Sequence, residues 1–222
     1  MMNMNNSNRY YGLVRKKECL RLTLRGWFLF FVIFLFTIFL FIKMIHPFLA
    51  PNRMVNSKIM IVEGWLPHYV LEKAALDFKT KQYQLLITTG APKHSGSSVK
   101  SSYAKDAAKQ LRALGIKSEN IRAVTAPDVQ RDRTYASAMA VWRWLEKTQL
   151  DTRAVTLYSV GAHGRRSYML YHKAFPRKVR LGVVSVRNRA YDPKKWWKTS
   201  NGVKAVIEEL VTYLYARLLF HP

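Results

Sequence analysis

His163, Arg165 and Arg166 fall where the apolar run ending Leu157-Tyr-Ser-Val160 gives way to a segment of helical period. A histidine with its ordinary pKa near 6.5 can act as a general acid or base, or donate to a phosphate oxygen. It can equally cap a helix or satisfy a backbone group, and position alone leaves both readings open. Two arginines in the first turn of a helix oppose its macrodipole. Their placement makes more sense if an anion binds between them and the free N–H groups, with one of the pair only facing solvent. Arg131 and Arg133 flank Asp132 after another apolar run, and Thr134 offers a hydroxyl donor. Ion pairing within that loop is the open alternative. Gly90 and the loop Ser95-Gly-Ser-Ser98 can let backbone N–H groups approach a phosphate, although neither Gly-X-Gly-X-X-Gly nor Gly-X-X-X-X-Gly-Lys-Ser/Thr is present. Glu63, Asp128, Asp132 and His163 share no ligand spacing on one element, so no metal site is expected. The absence of Gly-X-Ser-X-Gly argues against a serine triad, and no motif identifies a cofactor.

These residues need a scaffold that gathers loop ends. From residue 58 the chain alternates short apolar runs with helix-period segments, which predicts an α/β, Rossmann-like fold with a parallel sheet of about five strands and flanking helices. The predicted strands cover 58–62, 85–89, 121–125, 154–159 and 179–185. Between them, Leu71, Ala74, Ala75 and Phe78 repeat on one helix face, and Ala104, Ala107, Ala108, Leu111 and Leu114 on the next, closed by Gly115 at C′. Tyr135, Ala138, Met139, Trp142 and Leu145 form a third stripe, with Asp132 the expected N-cap. Residues 164–175 supply the fourth helix. Val203, Val206, Ile207, Leu210, Val211, Leu214 and Leu218 predict a closing amphipathic helix, and Glu208, Glu209 and Arg217 argue against a second membrane span. In such a sheet the carboxyl ends of the strands form the floor of a crevice, where the polar residues named above would meet.

Ahead of this domain, Trp27 to Ile42 is apolar except for Thr37 and is bounded by Arg25 and Lys43. Sixteen helical residues span about 24 Å, short of a hydrocarbon core of roughly 30 Å. Snorkelling of Lys43 lets the helix continue until Pro47 stops it. A cleaved signal peptide is the competing reading, but no small-X-small site follows the run. The expected organisation is a cytoplasmic basic tail (1–25), a transmembrane signal anchor (26–46), a linker (47–57) and an extracytoplasmic domain (58–222). Six basic residues against Glu18 give the first 25 residues +5 and leave +19 of the +24 for the rest. The basic flank places the amino terminus in the cytoplasm and the anchor in the inner membrane, since large domains translocate largely regardless of charge.

The 222-residue chain is 49% hydrophobic, enough for a core of ordinary size. Cys19 is the only cysteine, which excludes internal disulfides, a Cys-based zinc site and a Cys-X-X-Cys redox motif. A charge of +24 predicts anionic partners, or else a solvated basic surface. Trp196 and Trp197 among Lys194, Lys195 and Lys198 can stack on sugars, sit at a lipid interface or pack over the sheet edge.

Four stretches in this order resemble the envelope-associated family of SanA, ElyC and YdcF proteins across residues 58–190. They are Val62-Glu-Gly-Trp-Leu-Pro67, Thr88-Thr-Gly-Ala-Pro92, Arg131-Asp-Arg-Thr-Tyr-Ala-Ser-Ala138 and His163-Gly-Arg-Arg-Ser167. The last is similar to the family's His-X-X-Arg-Ala element, with Ser167 in place of Ala. In the third, Thr134 is kept, but Ala136 and Ser137 stand where the family has Glu and Asn. The resemblance implies a Rossmann-like domain, a role in cell-envelope biogenesis or barrier maintenance, and no settled reaction. It also implies His163 as acid/base, with Glu63, in what looks like a divergent Glu-Gly-Trp subgroup, as the acid replacing the one missing at 136. Gly90, Ser95, Arg131, Thr134, Arg165 and Arg166 would bind an anionic envelope component or lipid-linked phosphate. Two alternatives stay open, a non-catalytic sensing or scaffold module and a nucleic-acid binder. Only the charge suggests the second, and an extracytoplasmic location opposes it.

Overall fold

The computed structural model describes residues 20–93, 101–148 and 150–221. Five parallel strands, β2 (Ile59–Glu63), β3 (Leu85–Gly90), β4 (Ile121–Thr125), β5 (Ala154–Val160) and β6 (Arg180–Val186), lie in the order β6-β5-β2-β3-β4. The fold is the expected α/β, Rossmann-like one, with one additional strand. That strand, β1 (Asn52–Arg53), pairs antiparallel with Val184 and Val183 at the β6 edge. Residues 51 and 52 of the expected linker are tied down further, because Ser185 N donates to Asn52 Oδ1 at 2.9 Å and Ser185 Oγ to the Pro51 carbonyl at 2.7 Å.

β2 and β5 are buried along their whole length, which is why both read as continuous apolar runs. Their side chains alternate between two cores. Met60 and Val62 pack with Leu71 and Phe78 of α2 (His68–Thr80) and Leu111 of α3 (Tyr103–Ala113). Ile59 and Ile61 pack with Val141 and Leu145 of α4 (Arg133–Thr148) and Tyr171 of α5 (Gly164–Ala174). Full burial of Leu71, Leu111 or Leu157 is worth about 1.5–3 kcal/mol each. β4, at the far edge, buries only Ile121 and Val124 and presents Arg122 to solvent, a charge that discourages edge pairing. Gly115 follows α3 at φ 84°, the left-handed C′ position that the sequence predicts. Asp132 stands at the expected N-cap position before α4, its carbonyl accepting from Ala136 N at 3.0 Å, but with a φ of 54° in the left-handed region, which Asp tolerates better than most residues.

The described residues divide into two units, one ending at Phe41 and one beginning at Ile42. Helix α1 (Leu24–Leu49) carries residues of both. Its 26 residues span about 39 Å, and among the described residues it is the one helix long and apolar enough to cross a membrane. Pro47 does not stop it. The ring forfeits one intrahelical bond, and the last turn is held by the fully buried Leu49 and by Arg165 Nε, which donates to the Phe48 carbonyl at 2.7 Å.

Helix α6 (Ser200–Leu218) packs Val206 against Ile45 and Leu49. The expected buried stripe is only partly so, since Val203, Ile207, Val211, Leu214 and Leu218 are exposed. Apolar residues surround most of this helix, so periodicity could not choose its inward side. The Trp-Lys cluster packs over the end of α1. Trp196 is buried and donates from Nε1 to the Ile42 carbonyl at 3.1 Å, and Lys43 Nζ lies 4.7 Å from the centre of the Trp197 ring.

Candidate functional site

The chain builds β2, β3 and β4 outward in one direction, then returns to place β5 on the other side of β2. This reversal opens a crevice outside the carboxyl ends of β2 and β5, the usual ligand position in doubly wound sheets. Glu63 ends β2, and His163 ends the turn Gly161–His163 that follows β5. The cleft there has a volume of about 520 Å³. Helices α3, α4 and α5 start at its wall, contributing Tyr103, Arg133 with Thr134, and Arg166. Helix N-termini bring free N–H groups and a positive dipole end.

Four charged groups interlock at the floor. His163 Nδ1 lies 2.8 Å from Glu209 Oε1, and Arg166 donates from Nε to Glu209 Oε2 at 2.9 Å and from Nη2 to Oε1 at 3.1 Å. Arg166 Nη2 is also 3.0 Å from His163 Nδ1. Since an arginine can only donate and the carboxylate can only accept, the short contact to Glu209 means that Nδ1 carries the hydrogen. The other ring nitrogen, Nε2, is 3.7 Å from Glu63 Oε1, beyond hydrogen-bond reach, and has no hydrogen-bond partner among the described residues. Trp65 meets the imidazole edge-on with centroids 4.7 Å apart.

Burial alone would lower the His163 pKa, but the Glu63 charge and the Glu209 hydrogen bond outweigh it and raise the value to about 9. Burial pushes the Glu209 pKa up, and the bond and charge of His163 and Arg166 override this and bring it to about 2. His163 is therefore an imidazolium at neutral pH, and its Nε2–H is shielded from solvent, with Glu63 Oε1 3.7 Å away. Glu63 is buried and already occupied, with Oε2 accepting from Ser159 at 3.0 Å and Oε1 from Ser167 at 2.9 Å.

Glu63, Gly90, Thr134, His163 and Arg166 come together in the lining. Arg131 does not. It is exposed outside the lining, and its neighbour Arg133 takes that place. Arg165 is also outside, bonded to Phe48 as above and stacked over its ring at 4.5 Å. Ser95 lies outside the described residues. Gly90 is required by packing, because a Cβ there would fall 2.7 Å from Tyr103 Cβ.

No model of a known protein family matches the chain, and no curated protein matches it.

The main residue missed by sequence reasoning is Glu209. Its signal was present, since it falls three residues after Val206 and seven before Ala216, on the inward side of α6. Tyr103, Ser137 and Thr212 also line the cleft without any motif to mark them.

Proposed function

We propose that this chain is a membrane-anchored protein of the SanA, ElyC and YdcF type, acting in cell-envelope biogenesis or barrier maintenance by binding a phosphate-bearing ligand in the cleft. The observation that carries the reading is the convergence of the positively charged His163, the cleft-lining Arg133 and Arg166 and the starts of α4 and α5 on one cleft. A charged donor in a site of low dielectric favours an anionic oxygen. Arg166 and Glu209 hold the imidazolium in place, and Glu63 keeps it charged. The basic amino-terminal flank supports a cytoplasmic amino terminus and an extracytoplasmic domain at the inner membrane.

Binding without turnover fits this site better than general-base catalysis. A group that keeps its proton until about pH 9 does not accept one at neutral pH. If the ligand does react, His163 serves as proton donor or as a clamp on developing negative charge.

The test is thermal unfolding of the detergent-solubilised full chain with inorganic phosphate, pyrophosphate, nucleotides and polyprenyl phosphate. Saturation at about 100 times Kd adds about 2.7 kcal/mol, a rise in Tm of about 5–10 °C for a domain of this size. The rise should vanish in His163→Gln, judged against that variant's own Tm. No stabilisation by any phosphate-bearing compound overturns the reading.

A further inference from the structure

We infer that the outer face of α6 is a docking surface for the anionic lipid surface beside the anchor, an inference that rests on α1 being a membrane span. Val203, Ile207, Val211, Leu214 and Leu218 are spaced four, four, three and four residues apart, so they form one stripe along the helix. All five are exposed, Val211 by 59% and Leu218 by 66%. The stripe runs for about 22 Å and lies opposite the buried Ala216, with the buried Val206 on the helix flank between them. Exposed Lys204 and Arg217 border it on its two sides, with exposed Glu208 one turn beyond Lys204, and cations flanking an apolar stripe suit an anionic interface.

Two observations favour lipid over a second copy of the chain. The inward face of α6 packs on the last turns of α1, Val206 against Ile45 and Leu49, and Tyr213 against Phe48 with ring centroids 5.4 Å apart. Ile42, at the start of those turns, is bonded directly to Phe41, the end of the first unit. Helix α6 therefore packs on residues 42–49, the segment that follows the apolar run in sequence. Charge is the second observation, since a chain of +24 repels its own copies and is drawn to anionic headgroups. Glu208 and Glu209 exclude a second span, so the helix would lie along the surface rather than across it.

The full chain, with Cys19→Ser and a single fluorescently labelled cysteine, tests this in liposomes containing anionic lipid. Labels would be placed by Val211→Cys and Leu214→Cys on the stripe, Glu119→Cys on the exposed turn before β4, and Val32→Cys in α1. The expected result is quenching of the stripe labels by nitroxide lipid and protection from aqueous iodide, with the reverse at position 119. Iodide quenching at 211 and 214, with lipid quenching retained at 32, overturns the docking and leaves the span standing. Iodide quenching at 32 as well overturns the span and the docking with it. Cross-linking between copies at 211 without lipid quenching overturns the proposal in favour of self-association.

Discussion

His163 Nδ1 and Glu209 Oε1 lie 2.8 Å apart, and this contact joins the end of the β5 turn to α6, 46 residues further along the chain. The pair makes α6 part of the cleft. It also decides the tautomer of His163, because the nitrogen facing Glu209 is committed and Nε2, shielded from solvent beside Glu63, is the one without a hydrogen-bond partner among the described residues.

Glu209→Gln removes the charge while keeping much of the shape. The His163 midpoint should fall from about 9 toward the ordinary 6.5, read by NMR titration of the imidazole carbons. Loss of one member of a buried pair also costs about 3–5 kcal/mol, visible in chemical unfolding. A midpoint that stays near 9 would show that Glu63 alone sets the charge.

Stability should depend on pH on both sides of a plateau. The His163 pKa is raised on folding, so its contribution is complete below about 6.5 and is lost as pH rises through about 9. The Glu209 pKa is depressed, so its contribution is complete above about 4.5 and is lost as pH falls through about 2. Both limbs report largely one ion pair and are not summed. Urea unfolding across pH 2–10 checks this, and in His163→Gln the alkaline fall between 6.5 and 9 should disappear.

Arg165 and Arg166 are adjacent in sequence but opposed in role. Arg165→Ala should lower thermal stability through the lost Phe48 contacts, by about 1–2 kcal/mol, and leave ligand affinity unchanged. Arg166→Ala should weaken phosphate binding, because Glu209 loses two charge-assisted bonds and His163 its support. Equal effects of the two on affinity would count against this division.

The sheet was legible because each buried strand is a continuous apolar run between polar turns, and the crevice followed from where those runs end. Choosing between adjacent residues was not legible. Arg131 and Arg133 differ by two positions beside the left-handed Asp132, and only the backbone path decides which reaches the cleft. Glu209, with Glu208 beside it, argues in sequence only against a membrane span, because a carboxylate on an apolar helix has no visible partner there. Ser167, which looked like a departure from the resembling family's Ala, is the hydroxyl that satisfies the buried Glu63.

Two buried tyrosines offer a paired test, since one chemical change should act in opposite directions. Tyr158 OH donates to Asp77 Oδ2 at 2.8 Å in a buried cluster where Lys73 and Lys81 also reach Asp77. Tyr171 is equally buried, but its hydroxyl has no hydrogen-bond partner among the described residues. Tyr158→Phe removes a donor from a buried carboxylate and should cost about 1.5–3 kcal/mol, a fall in Tm of about 3–10 °C. Tyr171→Phe removes only an unsatisfied polar atom, so Tm should hold or rise by a few degrees. Comparable losses in both variants would mean that the Tyr171 hydroxyl is satisfied, for instance by an internal water, and that the packing around α5 differs from the one described.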